Sequence, residues 1–232
     1  LEQGVGTVSA RGNGKTNAGV YTVVFSVPET KNYTSAELPA TLRILPKSAE
    51  DPADPMTEIP DMEISSPEDE TYNSTSFTPV LTVADRVMNN GKQLVRGRDY
   101  ELYYRNNVDA GTAEVIVGFM GNYTGNVAKT FEIRPAPVTL KVKDASSRIG
   151  EPLVTPSYRI VSGRMYGNDL PGELVYRTGK MTVPGKYPIT AKLANGVGNT
   201  NYKITIRPGV YTLLEEAKNP ANPEATSDPE DP

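Results

Sequence analysis

Apolar and polar residues alternate with period two along most of the chain. Tyr21, Val23, Phe25 and Val27 point one way while Thr22, Val24 and Ser26 point the other. Ala113, Val115, Val117 and Phe119 repeat the pattern. So do Tyr187, Ile189, Ala191 and Leu193 against Pro188, Thr190 and Lys192, and Val138, Leu140 and Val142 against Thr139, Lys141 and Lys143. One-sided burial of this kind marks antiparallel sheets with one face on a core and one in water. No window shows a helical period of 3.6. Asn90-Gly91, between Val87 and Leu94, predicts a type I′ hairpin, because both central positions need positive φ.

The strands belong to a pattern that occurs three times: a Gly turn, an alternating strand, an Asn-Tyr turn and a closing strand. The first copy runs from Asn17-Ala18-Gly19 through Asn32-Tyr33 to Leu42-Arg43-Ile44. The second runs from Asp109-Ala110-Gly111 through Asn122-Tyr123 to Phe131-Glu132-Ile133. The third runs from Val183-Pro184-Gly185 through Asn201-Tyr202 to Val210-Tyr211-Thr212-Leu213. Asn adopts turn conformations readily and the following Tyr packs its ring on a core, so these pairs read as structural. The first copy is too short for a complete module, and the unpaired edges of such a half-module invite pairing with a strand from elsewhere.

Composition narrows the chemistry. With no His, Cys or Trp in 232 residues, the chain has no Ser-His-Asp or Cys-His nucleophile, no His- or thiolate-ligated metal and no disulfide. No cofactor or metal site is expected. Leu1-Glu2-Gln3-Gly4 is neither a signal peptide nor a Met start, so the chain reads as a piece of a longer protein; no apolar run is long enough to span a membrane. Charge is segregated. Residues 47–70 hold nine acids and one base, 214–232 six acids and one base, whereas 136–213 holds eleven bases and four acids. Pro-rich acidic stretches read as extended spacers. The expected organisation is therefore a partial β module at 1–46, an acidic linker at 47–70, a β module at 71–135, a basic β module at 136–213 and an acidic tail at 214–232.

The stretch Gly91–Asp99-Tyr100, continuing through Tyr104-Arg105-Asn106-Asn107 to Gly121-Asn122-Tyr123-Thr124-Gly125, resembles the tandem repeats of Gram-positive surface proteins. Residues 136–213, with Tyr166-Gly167-Asn168-Asp169-Leu170, Gly185-Lys186-Tyr187-Pro188-Ile189-Thr190 and Asn201-Tyr202, are similar to the MBG-type repeat of large bacterial adhesins. They depart from it at 145–152, which lack the usual Tyr-Gly pair. Residues 4–46 look like the back half of a further repeat. The resemblance implies bacterial Ig-like β-sandwich modules, with a β-grasp-like module as the alternative. It also implies an extracellular, cell-wall-attached setting and a stalk or adhesion role without catalysis. The β-grasp alternative needs a helix, for which only 163–170 offers room.

Candidate ligand-binding residues are few. Lys192, Lys203 and Arg207 are outward on two strands; if those strands pair as a hairpin, the three share a solvent face that Lys141 and Lys143 extend. Such a stripe would attract a polyanion or an anionic host or wall glycan, or simply solubilise the module. Nucleic acid is not expected, since no nucleic-acid motif accompanies the charge. Tyr103, opposite in facing to Tyr100, Leu102 and Tyr104, is the ring most exposed for stacking on a sugar. Acids outside the spacers are scattered over separate elements, which argues against a glycoside-hydrolysing carboxylate pair.

Overall fold

Strand pairing follows one register three times. In this computed structural model, which describes residues 6–88 and 90–216, the first sheet joins β1 (Ser9–Arg11), β2 (Gly19–Val27) and β3 (Ala36–Ile44) in that order. Gly19 lies opposite Ile44 and Tyr21 opposite Leu42. Next come β4 (Lys47–Ser48), β5 (Glu50–Asp51), β6 (Asp54–Glu58), β7 (Met62–Ile64), β8 (Glu70–Thr71), β9 (Val83–Asp85), β10 (Tyr100–Arg105), β11 (Gly111–Phe119), β12 (Tyr123–Thr124) and β13 (Asn126–Arg134). Here Gly111 faces Ile133 and Ala113 faces Phe131. The remaining strands are β14 (Ala136–Val142), β15 (Ala145–Arg148), β16 (Tyr158–Ser162), β17 (Leu174–Thr178), β18 (Gly185–Leu193), β19 (Tyr202–Arg207) and β20 (Gly209–Leu214). Gly185 faces Leu213 and Tyr187 faces Tyr211. The matching interior positions Val23, Val115 and Ile189 are all buried.

The chain forms two units, Leu1–Glu70 with Ser76–Ile133, and Thr71–Thr75 with Arg134–Pro232. In the first unit β10, β11, β13, β6 and β5 make one sheet, β7 pairs with β9, and β4 runs parallel to β12. Its core gathers Leu81, Val83, Leu94, Leu102, Val115, Val117 and Val127. In the second unit β16-β14-β19 and β15-β20-β18-β17 are separate sheets, with Val142, Ile189 and Tyr211 at the centre of a core. The fold class is thus mainly β and sandwich-like, and among the described residues no α-helix occurs. Residues 163–170 are irregular apart from a turn at 167–168, and among the described residues the one helical element is a short 3-10 turn at Ala194–Gly196.

One parallel strand pair threads both sheets of the second unit. Ala136 to Lys141 run beside Tyr202 to Arg207, and Ala145 to Arg148 beside Tyr211 to Leu214, at one constant register. The final strand crosses from one sheet to the other at Pro208-Gly209. Gly209 is required there: a Cβ would meet the Val142 and Lys143 carbonyl oxygens at 2.7 and 2.8 Å.

The acidic stretch 47–70 is not an extended spacer. It supplies β4 to β7, and Ala49, Met62 and Ile64 are buried in the first unit's core. Its acids are anchored: Glu50 accepts the Asn126 and Met56 N–H groups, Asp69 accepts the Glu132 N–H, Glu58 pairs with Lys129 and Glu63 with Arg86. The second unit begins at 134 and takes in 71–75, so the 71–135 boundary shifts at both ends. Most of the tail, 217–232, lies outside the described residues. Asn90 and Gly91 have the positive φ values of 51° and 71° that the turn demands. Among the described residues, however, the flanking chain pairs through an Ala84–Gln93 bridge and not through strands reaching Val87.

Candidate functional site

Three cationic side chains stand side by side across β16, β14 and β19. Lys141 on the middle strand lies opposite Arg159 on one side and Arg207 on the other. Adjacent strands are spaced about 4.8 Å apart, so the row spans about 10 Å. With Val161 and Pro208 the three line a shallow surface hollow of about 380 Å³. Lys203 and Thr205 continue the exposed face along β19. Like charges placed directly opposite one another destabilise a sheet pair, and together the three make the local potential positive.

Lys141 is the fixed member. Its Nζ donates to the Pro208 carbonyl oxygen at 2.6 Å and to Asp144 at 3.4 Å. Asp144 is held below the ordinary carboxylate range by the Val210 N–H, with smaller help from Lys141 and Arg159. An anion seated on the row would meet that carboxylate at its Lys141 end. Arg159 and Arg207 are exposed and free to reach a ligand.

The structure therefore brings Lys141, Lys203 and Arg207 onto one face and adds Arg159. It separates Lys192, because the hairpin expected to join them does not form. The strand bearing Lys192 pairs with β17 and β20, and the strand bearing Lys203 with β14. The 3-10 turn at 194–196, with Asn195 at φ 54°, carries the chain from one sheet to the other. Lys143 lies just past the end of β14, exposed, with its N–H on the Ser157 carbonyl. Tyr103 is 58% exposed, on the outer face of β10 in the other unit, its ring against Gly118. No pattern in the sequence places Arg159 beside Lys141; only the β14–β16 register does.

Two buried polar locks close the units. In the first, Asp85 is fully buried and accepts the Lys47 Nζ at 3.0 Å and the Val87 and Met88 N–H groups at 2.9 and 2.8 Å; Lys47 also reaches Asp61 at 3.1 Å. Burial opposes the charge on each partner, but the hydrogen bonds outweigh it: Lys47 is raised and Asp85 lowered. Both shifts favour the charged forms, as an ion pair at this distance requires. Burial, with Asp85 and Asp99 nearby, pushes the Tyr123 phenol up to about 12. In the second unit the Tyr202 hydroxyl donates to Asp169 at 2.6 Å and Tyr72 donates to the same carboxylate oxygen at 3.0 Å. The Tyr72 ring meets those of Tyr166 and Tyr202 edge-on at 5.8 and 5.3 Å. Tyr123 and Tyr202 of the second and third Asn-Tyr pairs are thus buried and each engages an aspartate, whereas Tyr33 of the first pair is exposed.

Among the described residues no group of three or more acidic side chains is placed to hold a metal ion, and no helix is long and apolar enough to cross a membrane. Comparison of the chain with protein-family models, with curated proteins and with solved structures returned no match.

Proposed function

We propose that this chain is a non-catalytic, load-bearing repeat region of a bacterial cell-surface protein, a stalk of Ig-like or MBG-like modules that holds other parts of its parent away from the wall. One observation carries the reading: the first and last strands of the second unit are parallel neighbours over 136–148 and 202–214. Tension applied at the two ends of such a unit pulls these strands past each other along their axes. The ladder bonds are then loaded together in shear, whereas a hairpin pulled at its open end unzips one bond at a time. The first unit has shorter parallel contacts, β4 with β12 over two residues and β6 with β13 at Met56 and Val127. The reading is tested by pulling the chain between residues flanking the second unit, where a stalk module must resist more force than its own hairpins do.

A second reading rests on the Arg159–Lys141–Arg207 row: the second unit binds a wall or host polyanion, or an anionic glycan. Charge-driven binding weakens as ionic strength rises, because the Debye length falls to about 8 Å at physiological salt. Titrating the chain with teichoic acid and with sulfated and neutral glycans at low and physiological salt tests it. Saturable binding to the anionic ligands alone, persisting at physiological salt, supports an adhesin module; no preference for them returns the row to a solubilising role.

A further inference from the structure

The cation row is one of two rows on the same face. Thr139 sits two residues before Lys141 on β14, and the alternation that buries Val138, Leu140 and Val142 places both on the opposite, outer side. The lateral partners of Thr139 are Ser162 on β16 and Thr205 on β19, both exposed. A hydroxyl row, Ser162–Thr139–Thr205, therefore runs beside the row Arg159–Lys141–Arg207, about 7 Å away along the strands. The register shift between Thr139 and Leu140 brings Val161 into the hollow with the cations. Among the described residues, neither the three hydroxyls nor the Arg159 and Arg207 side chains hydrogen-bond to the protein.

The two rows ask different things of a ligand. Three cations ask for negative charge, and two of them are guanidinium forks that take a carboxylate or a similar oxyanion through paired bonds. Each hydroxyl both donates and accepts, so it is matched in full by a group that also does both. A bare polyphosphate offers acceptors alone. A sugar ring that bears an acidic group offers anionic oxygens to the first row and hydroxyls to the second. Its C–H face would rest on Val161 and Pro208, the apolar members of the hollow.

Asp144 sharpens this choice. Its Oδ1 accepts the Val210 N–H at 2.8 Å and the Lys141 Nζ at 3.4 Å, and its side chain is 66% exposed. Its Oδ2 has no hydrogen-bond partner among the described residues. A carboxylate at the margin of a cation row repels a ligand that is anionic throughout, whereas it accepts a hydroxyl from one that is not.

We infer that the outer face of β16-β14-β19 binds an acidic glycan, a sugar chain that carries carboxylate or sulfate groups together with free hydroxyls. Its acidic groups sit on Arg159, Lys141 and Arg207, and its hydroxyls meet Ser162, Thr139, Thr205 and the Oδ2 of Asp144. The site rests on the same cationic row as the second reading above, with the ligand narrowed from any polyanion to an acidic sugar.

The full chain is titrated by calorimetry at physiological salt with an oligogalacturonate, a sulfated galactose oligomer, a neutral galactose oligomer and a linear polyphosphate matched in charge to the first. Saturable binding of at least one acidic sugar is expected, tighter than that of polyphosphate, with none of the neutral sugar. Arg159→Glu with Arg207→Glu should remove the binding of every anion. Thr139→Val with Thr205→Val keeps the β-branched shape that suits a strand. It should weaken the acidic sugar about tenfold and polyphosphate by less than about threefold, because each hydrogen bond lost costs a factor of about two to ten. Ser162→Ala, at an exposed position, should repeat the selective loss on a smaller scale and stands in if the threonine pair perturbs the sheet. Asp144→Asn should tighten polyphosphate more than the acidic sugar. A chain that binds no anion, or whose binding survives Arg159→Glu with Arg207→Glu, overturns the polyanion reading and the glycan site together. Polyphosphate bound as tightly as the acidic sugars, with no selective loss in the hydroxyl variants, overturns the glycan site alone and leaves the polyanion reading standing.

Discussion

Replacing Asp85 by Ala removes the acceptor on which the first unit's charged lock is built. The carboxylate is fully buried and serves Lys47 Nζ, two backbone N–H groups of the following turn and, through burial beside it, the Tyr123 phenol. Deleting one member of a buried pair costs about 3–5 kcal/mol, chiefly because the other charge is left without compensation. Lys47 keeps Asp61, whose side chain is 45% exposed, so the lower end applies. The expected loss is about 3 kcal/mol, equivalent to a fall of roughly 10–15 °C in the melting temperature of a unit this size. Urea unfolding followed by the amide signals of Val115 and Val117 reads the first unit; Ile189 reports the second, which should not move. Asp85→Leu combined with Lys47→Met should recover most of the loss, since a well-packed apolar pair can replace a buried ion pair. A loss below about 1 kcal/mol for Asp85→Ala would show that the pair is not a structural lock.

The same pair fixes the pH response. Asp85 is lowered, so its contribution is complete above the unfolded value of about 3.9 and disappears as pH falls through its folded value; Lys47 is raised, so its contribution holds below about 10.4 and is lost as pH rises through its folded value. Tyr123, pushed up to about 12, adds to the alkaline loss above about pH 10. Thermal melts across pH should show a plateau between these limits, and Asp85→Ala should flatten the acid limb. Gly209→Val should destabilise the second unit by at least about 2 kcal/mol, read as a lowered urea midpoint, because its side chain would press on the Val142 and Lys143 carbonyls. Arg159→Glu with Arg207→Glu should abolish retention on a sulfated polymer matrix at low salt while leaving the melting temperature within about 2 °C, because both side chains are exposed.

The repeats were legible in the sequence because turn chemistry is local. Gly before the strand and Asn-Tyr after it set the register that pairs Gly19 with Ile44, Gly111 with Ile133 and Gly185 with Leu213. The 47–70 stretch was not legible, since Ala49, Met62 and Ile64 are too far apart among nine acids to show an apolar period. Its acids bind backbone N–H groups and distant bases, and no spacing reports such partners. Consecutive strands are usually neighbours, which favoured pairing the strand of Lys192 with that of Lys203. The 3-10 turn at 194–196 instead sends them into different sheets, which removes Lys192 from the candidate site and leaves Lys141, Lys203 and Arg207 there. Arg159 enters through a long-range register that composition cannot reveal.

Single-molecule pulling tests the load-bearing claim most directly, and the absence of native cysteine makes engineered attachment points unique. In one variant the handles sit at Pro135→Cys and Glu215→Cys, so that tension shears β14 and β15 against β19 and β20. In the other they sit at Glu173→Cys and Ala194→Cys, across the open end of the β17–β18 hairpin, where Leu174 faces Leu193. A clearly higher rupture force is expected for the first pair at equal loading rate. Equal or lower force along that axis would show that the parallel strands close the fold without bearing load.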